Sequence, residues 1–462
     1  MKKYITFLAS LAIISFFGCS QKTNTNTVET EVTVIQDVHV IPMKGEEQVL
    51  KNQTVIIKDG KIKDIGPSAK VKIPKGAKVI PGKNQYLMPG LTEMHAHIPV
   101  AQDGDETYVE ETLFLYLSRG VTTIRGMLGN PYHLNLRKRV QNGSVLGPRI
   151  YTSSPSMNGN SEPSEAVADE KVRQYKKDGY DFLKIHPGIQ ADVMAKLVAV
   201  AKEVDLPFSG HVPAAVGVRQ AIDYGYGTID HLDGYVTGMA PEGSSADEGG
   251  FFGAFFTDLA QDDRMQELVQ QTKAKQVAVI PTQTLFTRWY FPSDAAELSA
   301  AQEIQYMPAA TRYQWRANKE QIMNDPDYDA EEAKRLVTLR AKLMKAMHDA
   351  GVTILLGSDA PQVFNVPGFS IMHELEDMVD AGLPIAAVLE SGTIAPARFF
   401  QAEEEYGSVQ VGRSADLLLL AANPLEDISN IRKQVGVMTK GQWFPADMIA
   451  EKLAEIEARH AN

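Results

Sequence analysis

The sequence predicts an α/β protein, a (β/α)8 TIM barrel with a small β-sandwich domain built from both chain ends. Three observations predict it. β-rich runs broken by turn residues fill positions 31–85 and return at 404–446. Strand and helix patterns alternate across 86–403, the arrangement expected of a parallel sheet with crossover helices. Histidine, lysine and aspartate residues fall where those strand candidates end, the face on which this barrel carries its functional groups.

Composition sets the outer limits. The 462 residues, 44% hydrophobic and 23% charged, are enough for a large core. A net charge of -12 without a basic stripe argues against a nucleic-acid partner. A single cysteine excludes an internal disulfide. That residue, Cys19, follows a positive Met1-Lys-Lys and an apolar Tyr4–Phe17 run too short to span a bilayer comfortably. Residues 1–19 resemble a bacterial lipoprotein signal in which Cys19 becomes the lipidated terminus, and 20–30 read as a polar tether. The expected location is the bacterial cell envelope, with the protein held to a membrane through that lipid; an ordinary secretory signal cut nearby is the rival reading.

After the tether, Val32–Ile35, Val38–Ile41, Gln53–Ile57, Lys61–Ile65 and Ala77–Ile80 read as strands, with turns at Asp59-Gly60 and Pro74-Lys75-Gly76. Such strands need a partner layer. Ala415–Leu420 and Val435–Met438 supply it, followed by a C-terminal helix over 447–462. In the middle stretch the first barrel strand is Leu91–His97. Strands follow at Val121–Ile124, Arg149–Thr152, Asp181–Ile185, Pro207–His211, Gly227–His231, Val277–Thr282 and Val352–Leu356. Helices are expected at Ser164–Lys177, Asp192–Val204 and Glu331–Lys345. Gly238–Gly253 reads as a loop over one barrel mouth, and Phe286–Ala350 as a long insertion overhanging the same face.

The polar residues converge on that face. A side-chain period of two puts His95 and His97 on one side of the first strand. Lys184 lies in the fourth strand, His211 and His231 end the fifth and sixth, and Asp359 follows the eighth. Each alone has an ordinary role: salt-bridge partner, hydrogen-bonded core histidine, helix cap. Together they could hold two divalent ions.

These stretches also carry a resemblance. Pro89-Gly-Leu-Thr-Glu-Met-His-Ala-His97, Gly120-Val-Thr-Thr-Ile-Arg125, Asp181-Phe-Leu-Lys-Ile185, Gly210-His-Val-Pro213, Thr228-Ile-Asp-His231, Gly357-Ser-Asp359 and Gly412-Arg-Ser-Ala-Asp-Leu417 are similar to motifs of the metal-dependent amidohydrolase superfamily, near its imidazolonepropionase-like and prolidase-like branch. The resemblance implies one metal on His95, His97 and Asp359, another on His211 and His231, and Lys184, carboxylated on its amine, bridging them. Free Lys184 would repel two cations, whereas a carbamate supplies oxygen ligands. Zinc suits the imidazoles; Mn, Co or Fe also fit. Asp359 is the expected catalytic residue, taking a proton from metal-held hydroxide during attack and passing it to the leaving nitrogen. One departure is Gly126, where relatives often carry Asp.

Substrate contacts are assigned to His186, Tyr235, Arg288 and His373, each of which also has a structural reading. The implied activity is hydrolysis of an amide bond in small peptides, as by a dipeptidase or prolidase. A cyclic-amide hydrolase, lactonase or phosphotriesterase would use the same cage. A non-enzymatic binding lipoprotein is the rival from another class.

Overall fold

The computed structural model describes residues 31–44, 48–244 and 249–461. The leader, the tether and Cys19 lie outside the described residues. Among the described residues no helix is long and apolar enough to cross a membrane.

The chain ends build one continuous sheet. Its strands are β1 (Thr33–Val40), β2 (Leu50–Lys58), β3 (Lys61–Pro67), β4 (Lys78–Pro81) and β5 (Tyr86–Pro89) from the first part of the chain. The order runs from the C-terminal hairpin through Leu417–Leu420 to β5, β1, β2 and β3, with β4 beside β1. Ile35, Val38, Val55, Ile57, Leu87, Leu417 and Leu419 bury one face of it in a common core. β5 pairs with β1 and with Leu417–Leu420, so the barrel starts at Leu91 and not at residue 86. Gly90 makes the passage possible, since a Cβ there would lie 2.3 Å from Thr122 Oγ1.

The barrel sheet contains β6 (Leu91–Ala96), β7 (Val121–Gly126), β8 (Arg149–Met157), β9 (Phe182–Ile185), β10 (Phe208–Gly210), β11 (Thr228–Asp230) and β12 (Ala278–Ile280), all parallel and in sequence order. Crossover helices join them. Glu165–Asp178 starts with Ser164 as N-cap and stops at left-handed Gly179. Ala191–Glu203 buries Val193, Leu197 and Val200 against the sheet.

The expected eighth strand is not a regular one. Val352–Leu356 meets β12 through a single bridge, Val279 to Ile354, and Ala360 meets Ala96 through another. Its backbone still closes the barrel: Leu355 N donates to Val279 O at 2.9 Å, and Met94 N donates to Leu356 O at 2.8 Å. The reason lies just beyond. Asp359 adopts φ 63°, which turns the chain out of strand geometry and aims its carboxylate at His97.

The insertion is shorter than expected. Ala330–Ala350, capped by Asp329, is the ordinary crossover helix before the eighth segment. The added part is Phe286–Met323, which holds a π-turn at Phe286–Tyr290 and a helix at Ala309–Met323. Three strands complete the end sheet and its tail: β13 (Leu417–Leu420), β14 (Gln434–Thr439) and β15 (Gln442–Pro445). The last helix, Ala446–His460, docks through Arg459 and His460 onto buried Glu111.

Candidate metal centre

His95 ends the buried face of β6, and His97 lies just past it. Asp359 Oδ1 is 2.7 Å from His97 Nε2 and 3.4 Å from His95 Nε2. Donor atoms of these three residues lie within 4.8 Å of one another. The rest of the cluster adjoins them. The His231 ring centroid is 4.4 Å from that of His95 and 4.7 Å from that of His211. Lys184, 1% exposed on β9, projects its amine toward the same centre, 3.7 Å from Asp230 Oδ2. The fold therefore brings all six expected ligands together.

Backbone shape sets these positions. His231 (φ 61°) and Leu232 (φ 52°) are left-handed, so strand alternation stops at Asp230. Gly210 has φ 127°, and a Cβ there would lie 2.4 Å from Ile185 O and 3.1 Å from Lys184 Cδ. Gly357 passes between β12 and β6, where a Cβ would lie 2.5 Å from Ile280 Cγ2 and 3.0 Å from His95 N. Gly126 is less constrained, with a Cβ 3.2 Å from the flexible end of Ile98 at Cδ1.

Hydrogen bonds fix the ring tautomers. Thr282 Oγ1 donates to Pro281 O at 2.7 Å, so at 2.8 Å it accepts from His231 Nδ1. Asp233 Oδ2 accepts from His211 Nδ1 at 3.1 Å and from Val212 N at 3.0 Å. Both rings are left with an unprotonated Nε2 whose lone pair is free, the usual condition of a metal-binding histidine. Burial holds His95 and His231 well below the ordinary imidazole range, helped by Lys184 and the neighbouring rings. Both are neutral. Burial also lowers Lys184, which favours the uncharged amine needed to form a carbamate.

The donor set fits divalent cations. His95 Nδ1 and Asp230 Oδ2 are buried and only 3.1 Å apart, but neither makes an aligned hydrogen bond. A buried carboxylate facing neutral imidazoles and an amine lacks compensating charge, and cations in the cluster would supply it. His95, His97 and Asp359 could hold one ion, and His211, His231 and Lys184 a second.

Sequence reasoning missed several supporting residues. Asp230 was masked by its place next to His231, since alternation assigns neighbours to opposite faces. It accepts from Thr228 Oγ1 at 2.6 Å, and Arg125 Nη1 donates to the same hydroxyl at 3.0 Å. Glu93, two residues before His95, accepts from Ser358 N (2.8 Å), Ser358 Oγ (2.6 Å) and His95 N (3.0 Å). It ties β6 to the segment bearing Asp359, and burial pushes its carboxyl up to about 8. Arg340 donates to His231 O at 2.5 Å and to Pro281 O at 2.6 Å, under the Phe286 ring. Only its helical periodicity was legible beforehand.

The four expected substrate residues divide. His186 stacks on His211 at 5.1 Å with its Nδ1 buried and unpartnered, so it does border the cluster. Tyr235 is fully buried and its hydroxyl is engaged by Thr272 at 2.7 Å; it is a core residue. Arg288 donates to Phe364 O at 3.3 Å and lies 3.6 Å from Glu303. His373 meets the same Glu303 at 2.9 Å. Arg288 and His373 thus share Glu303 as a partner.

With this geometry in place, comparison with known proteins is decisive. The amidohydrolase family model matches residues 86–444. The chain belongs to the amidohydrolase family. As a member it is an enzyme acting on carbon–nitrogen bonds. An Aspergillus niger ochratoxinase is 24% identical over 442 residues, covering 87% of this chain and 84% of the relative. Among solved structures, a bottromycin amidohydrolase superposes with a TM-score of 0.71 at 21% identity, covering 93% of this chain and 90% of that one. A Xaa-Pro dipeptidase with methionine in its active site gives 0.64 at 20% identity, covering 90% and 100%. These two likenesses establish the shared fold.

Proposed function

We propose that this amidohydrolase cleaves an amide bond in small, peptide-like substrates with two divalent cations, zinc in the first instance, on His95, His97, His211, His231, Asp359 and carboxylated Lys184. The convergence of these six side chains on one barrel mouth carries the reading. The names of the dipeptidase and ochratoxinase relatives support a peptide-like amide.

When bound, such ions supply Lewis acidity, lowering the pKa of water and polarising the scissile carbonyl. The protein does the rest. Asp359 sits beside His95 and His97, where its carboxylate can accept a proton from the attacking water and return it to the leaving nitrogen. Thr282 and Asp233 hold the His231 and His211 rings in one tautomer. Phe252 stands over those two rings from the loop side, at centroid distances of 5.8 and 6.2 Å. Residues 1–30 support the further proposal that the enzyme works in the bacterial cell envelope, attached through lipid on Cys19.

The test is metal analysis of the mature chain beside Lys184→Ala, followed by a dipeptide and N-acyl amino acid panel. The expected result is about two ions per chain, loss of metal in the variant, and a kcat for Asp359→Asn lower by about 10²–10⁴. One ion unaffected by Lys184→Ala would rule out the bridged site.

A further inference from the structure

A cavity of about 620 Å3 opens beside His211 and runs between the helices Gly217–Tyr224 and Tyr235–Met239. Val212, Pro213 and Val218 line it with apolar surface, and Phe252 closes the end next to the cluster. The Phe252 ring is set by backbone shape. Phe252 itself has φ 50° and stands between left-handed Gly250 and Gly253. A Cβ on Gly253 would lie 3.0 Å from Val236 Cβ. Phe286, 5.0 Å away, backs the ring. A non-glycine residue holds such a conformation only where its surroundings enforce it, often at ligand-binding positions.

The far side of this cavity carries charge. Arg264 and Arg219 both line it. Arg219 is matched by Glu267 at 3.1 Å. Arg264 forms no ion pair among the described residues, and the one hydrogen bond its guanidinium makes there is a long 3.5 Å contact to Gly238 O. The carboxylates of the lining are engaged or peripheral: Asp233 by His211, Asp223 by Lys275 at 3.0 Å, and Glu242 exposed at the rim. A cleft of mixed lining, apolar at Val212, Val218 and Phe252 and with the Arg264 guanidinium unpaired among the described residues, suits a ligand with an apolar group and a carboxylate, which the planar fork can bind bidentately.

We infer that Phe252 and Arg264 determine specificity, taking the apolar side chain and the free carboxylate of an amide substrate whose scissile bond lies at the His cluster. The inference rests on the amide-hydrolase reading and gives the substrate carboxylate to Arg264.

Calorimetric titration of the metal-loaded mature chain with N-acetyl-L-leucine and N-acetyl-L-leucinamide tests it. Arg264→Met should weaken the acid about tenfold, the order of one charge-assisted hydrogen bond, and leave the amide unchanged. Arg288→Met should alter neither, and Phe252→Ala should weaken both alike. Less than a twofold effect of Arg264→Met on the acid overturns the inference, as does failure of both probes to bind. The two readings separate cleanly. Amide turnover with binding indifferent to Arg264 removes this inference alone. Arg264-dependent acid binding without turnover of any amide keeps it and removes the proposed reaction.

Discussion

Asp230 Oδ2 lies 3.1 Å from His95 Nδ1, on the opposite side of that ring from Asp359. The pair is not aligned as a hydrogen bond, so Asp230 acts here through its negative charge, which favours a proton on the adjacent Nδ1 and leaves Nε2 facing the cluster. Asp230 is itself oriented by the Thr228 hydroxyl, which Arg125 holds in turn. Replacing Asp230 with Asn should weaken metal binding by about 10–100-fold, the usual cost of losing such a partner. Chelator competition reads the affinity, and circular dichroism confirms that the fold survives. Unchanged affinity would reduce Asp230 to a packing role.

Acid should destabilise the metal-free protein. His95, His186 and His231 titrate below the imidazole value near 6.5 of the unfolded chain, His186 at about 3, all chiefly through burial. Below pH 6.5 the unfolded state binds protons that the native state refuses, so their contribution to stability falls with pH. Glu93 has the opposite sign. Raised to about 8, it keeps a proton in the fold that the unfolded chain releases above about pH 4.5, and its contribution is lost as pH rises through 8. Urea midpoints between pH 4.5 and 8 should therefore drop on the acid side, and drop more steeply in Glu93→Gln.

Arg288→Met should act on stability. Its guanidinium bonds Phe364 O and balances Glu303, which His373 also contacts. Loss of the cation leaves a largely buried carboxylate with one partner fewer, at about 1–3 kcal/mol. A lower thermal midpoint with an unchanged KM for dipeptides is expected. A selective rise in KM would return Arg288 to the substrate site.

Gly357→Ala is the sharpest steric test. The added methyl would meet Ile280 Cγ2 at 2.5 Å and the His95 backbone at 3.0 Å, forcing β6 away from the segment bearing Asp359. Metal content per folded chain should fall, with the His95, His97 and Asp359 group the first affected. Full metal retention would mean that the barrel seam yields more easily than its packing implies.

Local pattern alone determined much of this protein. The alternation of strands and helices gave the barrel, and residues in or just past those strands included all six expected ligands. Both are short-range features: periodicity of two or 3.6 residues, and turn residues with restricted or permissive φ. What tertiary structure decided lies where that periodicity stops. Left-handed His231 places Asp230 and His231 on the same side, and left-handed Asp359 replaces a regular eighth strand. The fates of Tyr235, Arg288 and His373 depended on partners distant in sequence, Thr272, Phe364 and Glu303. Those partners meet only when the barrel closes, and no local spacing encodes which side chain a buried polar group will find there.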